Sequence, residues 1–100
     1  MISDKMQDAL NEQVNKEFYS AYLYLAMSAY CDTIGLPGSS NWMRMQYEEE
    51  ILHVTRMYDY ILDQGGQIHL KKIDEPPKEF GTPIEIFEET LKHEQFVTGC

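Results

Sequence analysis

Thiols are scarce in this 100-residue chain: only Cys31 and Cys100 occur, with no CxxC pair. That excludes a disulfide framework and fits incidental, reduced thiols in a cytosolic protein. Basic residues are few, 8 Lys plus Arg against 17 Asp plus Glu, for a formal net charge of −9. Such a field repels nucleic acid and anionic membrane and attracts cations, so neither a nucleic-acid nor a membrane partner is expected. Long apolar runs are missing too, and the start MISDKMQDALNEQ has no apolar stretch behind a positive flank. The expectation is a soluble, cytoplasmic protein. With 43% hydrophobic and 25% charged residues and no internal repeat, residues 1–100 read as one globular domain.

Glycine and proline are absent from Ser3 to Asp32, where Met6, Leu10, Val14, Ala21, Tyr24 and Ser28 recur at helical steps. This predicts one long amphipathic helix. The cluster Gly35-Leu36-Pro37-Gly38 ends it, and Ser39, Ser40 or Asn41 offers the next N-cap. A second helix runs to Gly65-Gly66, its inner row reading Met43, Gln46, Glu50, His53, Met57, Tyr60. Gln67 to Gly81, with Pro76-Pro77, reads as extended chain. Thr82-Pro83 then looks like N-cap and first turn of a third, shorter helix with Ile84, Phe87, Leu91 and Glu94 on one row.

A helix of about 26 residues is roughly 39 Å long. About 16 extended residues reach a little over 50 Å, so the link can cross the full bundle and start the third helix beside the beginning of the second. The short Gly35–Gly38 link, by contrast, makes the first two helices an antiparallel hairpin. The fold class is therefore all-α: an antiparallel four-helix bundle with a long crossover, of which about three helices are present.

Certain acids fall on the wrong face for solvent. Glu17 lies between Val14 and Ala21 in the apolar row of the first helix, and an unpaired buried carboxylate costs several kcal/mol. Glu50-Ile51-Leu52-His53 is a Glu-x-x-His whose i, i+3 spacing points both donors the same way, and Glu94 continues the third row. Each motif alone is common on solvated faces. Three Glu and one His converging from separate helices, with no Lys or Arg on those rows, make metal the simplest neutraliser. Oxygen-rich ligation with one imidazole suits iron or manganese, and a carboxylate can bridge a pair of ions. Glu49 is ambiguous between rim and site, whereas Glu48, His69 and His93 read as surface residues. Tyr24, two turns from Glu17, is a candidate hydrogen-bond partner or electron donor.

At these residues the chain resembles the prokaryotic non-haem ferritins, over essentially its whole length. LNEQVNKEFYSAYLYLAMSAY around Glu17, NWMRMQYEEEILHVTRMYDYILDQGG around Glu50 and His53, and LKHEQFVT around Glu94 carry the likeness. Inward Glu plus Glu-x-x-His is the known pattern of ferritin-like di-iron bundles, so the ligand assignment applies that rule. The resemblance implies a ferroxidase centre for two irons: Glu17 and His53 hold one, Glu50 bridges, and Glu94 holds the second. Fe(II) and dioxygen are the implied substrates, ferric mineral the product, and a 24-subunit cage the implied assembly. Bacterioferritins would place a haem-ligating Met after the bridging Glu, where this chain has Ile51, so haem is not expected.

Ferritins of this kind continue through a longer third helix and a fourth that supplies further ligands, so the chain is expected to be truncated relative to them. Two other functions compete: a non-catalytic helical association module, and a different di-iron oxidase.

Overall fold

A computed structural model describes the backbone of residues 2–98 and the side chains of residues 2–93. Three helices follow in order: α1 (Asp4–Thr33), α2 (Pro37–Asp63) and α3 (Pro83–Thr98). Together they form a rod 49 × 20 × 19 Å. Ser3 caps α1, its hydroxyl accepting from the Met6 amide at 3.1 Å. Gly35 and Gly65 follow α1 and α2 at φ +77 and +76, the left-handed turn that L side chains resist. The next amides, Leu36 and Gly66, then close back on the carbonyls of Cys31 and Ile61 at 2.9 and 2.8 Å.

α2 begins earlier than its serines suggest. Pro37 opens the helix without a side-chain cap, since its ring already holds the helical φ and the missing N–H needs no partner. Ser40 is used otherwise: its hydroxyl donates to the Ser28 carbonyl at 2.8 Å, and the Ser28 hydroxyl donates to the Ser40 carbonyl at 2.7 Å. This exchange clasps the hairpin near its turn, while the Ile2 amide bonds the Gln64 carbonyl at its far end. α1 and α2 are thus antiparallel over their whole length. Their seam buries Leu23, Tyr24, Met27, Cys31 and Met43 in one cluster and Val14, Val54 and Ile61 in the other.

The crossover follows α1 along a ladder of side-chain amides. The Gln67 amide donates to Gln7 Oε1, and Asn11 Nδ2 to the Gln67 carbonyl. The His69 amide donates to Asn11 Oδ1, Asn15 Nδ2 to the His69 carbonyl, and the Lys71 amide to Asn15 Oδ1, all at 2.8–2.9 Å. The match is geometric: four helical residues rise about 6.0 Å and two extended residues about 6.6 Å, so amides at every fourth position meet every second residue of the link. The link therefore gains strand-like hydrogen bonding without a neighbouring strand. It ends beside the other end of α1, where the Tyr30 hydroxyl donates to the Gly81 carbonyl at 2.8 Å.

Thr82 caps α3 with a reciprocal bond to Glu85, and Pro83 occupies the first turn, as the sequence predicts. The buried row of α3 differs from the expected one. Ile84, Phe87 and Leu91 are 71%, 76% and 62% exposed, whereas Ile86, Thr90 and His93 are buried against α1. Thr90 and His93 on that row bring polar groups that α1 satisfies, through Met27 Sδ and the Ser20 hydroxyl, and the wholly apolar stripe faces outward.

Candidate metal centre

Glu17 is held in the middle of α1 with Val14 and Ala21 buried on either side of it along the row. Glu50 and His53 come from the facing stretch of α2, one turn apart. Both acids are buried, at 5% and 8% exposure. His53 stands at the mouth with its side chain 52% exposed, its Nδ1 3.8 Å from Glu17 Oε2 and 4.0 Å from Glu50 Oε2. One donor atom from each of the three lies within 4.8 Å of the others. Donors around an ion at about 2.1 Å stand about 3.0–3.4 Å apart, so small side-chain rotations close this group on a cation.

Glu17 Oε1 accepts from Gln13 Nε2 at 3.0 Å, but while both carboxyls are ionised Glu17 Oε2 and Glu50 Oε2 are buried with no donor to either. Orphaned carboxylate oxygens are expensive unless a proton or a cation joins them. The metal-free group takes the proton. Burial pushes the Glu50 carboxyl up to about 8, and the hydrogen bond that its protonated form makes to Glu17 and the charges of Glu17 and Glu49 add to the shift.

The structure thus brings together three of the residues singled out by sequence. Glu94 lies in α3, with its side chain outside the described residues. Glu49 is exposed and outside the group, reaching Glu50 only through its charge. Tyr24 is fully buried and meets the His93 ring edge-on, centroids 5.9 Å apart.

His93 is a correction, because it is 7% exposed rather than on the surface and bonds the Ser20 hydroxyl through Nε2 at 2.7 Å. That Ser20 hydroxyl also donates its one proton to the Lys16 carbonyl at 3.1 Å, so the imidazole is the donor toward it. Desolvation holds the His93 pKa below its usual range, against the charges of Glu89 and Glu17, consistent with a neutral ring. Gln13 was also missed, although its i, i+4 spacing from Glu17 was a readable signal.

The ferritin-like domain model matches residues 7–99. The chain belongs to the ferritin-like family. It is similar to the bacterial non-heme ferritin of Bacteroides fragilis strain 638R, 45% identical over 98 residues that cover 98% of this chain and 62% of the relative. The bacterial non-heme ferritin of Escherichia coli O157:H7 is 38% identical over 98% of this chain and 59% of its own length. Among solved structures, an open pore ferritin from the hyperthermophilic archaeon Archaeoglobus fulgidus superposes with a TM-score of 0.95 at 49% identity, over 99% of this chain and 61% of that one. The chain therefore spans about three-fifths of the ferritins it matches. No helix among the described residues is long and apolar enough to cross a membrane.

Proposed function

We propose that this ferritin-like chain oxidises and stores iron, with Glu17, Glu50 and His53 receiving Fe(II) as substrate and Glu94 on α3 completing a second iron position. The observation that carries the reading is the pair of buried carboxylate oxygens, Glu17 Oε2 and Glu50 Oε2, with no hydrogen-bond partner and an imidazole at their mouth. Two Fe(II) held there each give one electron to one dioxygen, which takes up two protons and leaves as hydrogen peroxide. The carboxylates stabilise the higher charge of Fe(III), and Glu50, whose Oε2 lies 4.0 Å from His53 Nδ1, is the residue assigned to bridge the pair. Ferric product then hydrolyses to mineral. Ile51, following Glu50, offers no sulfur to a haem iron. Storage implies a cytoplasmic shell of many copies, 24 in ferritins, and the exposed stripe Ile84, Phe87, Leu91 supplies apolar surface that association of copies can bury.

Stopped-flow Fe(II) oxidation in air tests the site. Glu50→Ala abolishes the fast phase, whereas Glu48→Ala, at an exposed residue paired with Arg44 at 3.7 Å, leaves it within about twofold of wild type. Equal rates in the two variants remove the assignment. A binding-only association module would show metal uptake without turnover in the wild-type chain.

A further inference from the structure

The two oxygens of Glu17 are not equivalent. Oε1 accepts from Gln13 Nε2 at 3.0 Å, while Oε2 is buried, unpartnered and 3.8 Å from His53 Nδ1. Gln13 stands one turn earlier on α1, half-buried, at the i, i+4 spacing that lets an amide reach a carboxylate on the same helix face. We infer that Gln13 is a positioning residue that makes Glu17 a one-oxygen ligand and thereby biases the site toward small first-row divalent ions over calcium. The inference rests on the metal-site reading above and goes beyond it, because the function needs Glu17 but not a particular way of presenting it.

The chemistry follows from ion size. Calcium collects six to eight oxygens at 2.3–2.6 Å and readily takes a carboxylate through both oxygens, whereas first-row divalent ions hold fewer donors at about 2.0–2.2 Å. An amide proton on Oε1 opposes two-oxygen binding and fixes the plane of the carboxylate, so Oε2 stays aimed at His53 and Glu50. Gln suits this task because it donates without adding charge. A Lys there would neutralise Glu17 and weaken the cation site it positions. Hydrogen-bond partners of metal ligands typically change metal affinity by about 10–100-fold when removed.

Gln13→Met keeps the length and helix propensity of the side chain and removes the donor. Gln13→Leu repeats the loss with a different shape, and Glu12→Met is the exposed neighbouring control. Each chain is titrated anaerobically with Co(II), whose visible absorption reports occupancy and coordination geometry, and the complex is then challenged with Ca(II). Both Gln13 variants are expected to bind Co(II) roughly tenfold more weakly with an altered band shape, and Ca(II) to displace it at roughly tenfold lower concentration; Glu12→Met matches wild type. Glu50→Ala, run alongside, loses Co(II) binding. Gln13 variants that keep wild-type affinity and band shape, at a site that Glu50→Ala destroys, overturn the role of Gln13 and leave the site reading standing. Co(II) binding indifferent to Glu50→Ala overturns both.

Discussion

In the metal-free chain Glu50 sits beside Glu17 with its carboxyl pushed up to about 8 from an ordinary 4.5. A carboxyl raised in the folded state favours folding while it is protonated. That contribution is complete below pH 4.5 and is lost as pH rises through 8. The metal-free chain should therefore melt at lower temperature as pH rises from about 5 to 8, and Glu50→Gln, which stays neutral, should flatten the slope. Calorimetry across that range is the check, and a melting temperature that climbs with pH in the wild type contradicts the burial argument. On the proposed metal-site reading, a divalent metal would take the place of the proton. Adding it at pH 7 should raise the melting temperature of wild type, through selective binding to the folded state, and leave Glu50→Ala unmoved.

At the scale of elements, Asn11 and Asn15 each make two bonds to the crossover, and Asn11 is the more buried of the two. Its amide donates to the Gln7 and Gln67 carbonyls and accepts from the His69 amide, at 3% exposure. Asn11→Ala strands two link groups at once and is expected to cost about 2–3 kcal/mol, a fall of roughly 8–24 °C in melting temperature for a domain of this size. Chemical unfolding measures it, and a loss below about 0.5 kcal/mol shows that the link is held by something else. The long connection itself was legible as a crossover, because its length against that of the helices left few alternatives. The amide ladder was not, since Asn11 and Asn15 find their partners 56 and 54 residues away in sequence, at Gln67 and His69. The same distance hid His93, whose partner Ser20 lies 73 residues earlier. The α3 row failed for a different reason: periodicity shows that a helix has faces, and apolar content alone chose Ile84, Phe87 and Leu91 over the partly polar row that packs on α1.

For the whole molecule, the bundle and its centre were read from acids out of place: Glu17 in an apolar row and Glu50 three residues before His53. The grouping of Glu17, Glu50 and His53 was legible because a carboxylate in an apolar row violates a local rule, and local rules are visible in a sequence. α1 and α2 are the rigid hairpin that brings the three donors together, and α3 runs antiparallel to α1, with Thr90 beside Met27 and His93 beside Ser20. The central claim is that a divalent ion binds between the hairpin helices at this group. A crystal structure of the chain soaked anaerobically with Fe(II), with anomalous data collected at the iron edge, tests it most directly. The account predicts a peak bonded to Glu17 Oε2, Glu50 and His53 Nδ1, with Glu17 Oε1 still accepting from Gln13. A well-ordered soaked crystal with no anomalous peak among those three side chains, or with iron only on exposed surface carboxylates, contradicts it.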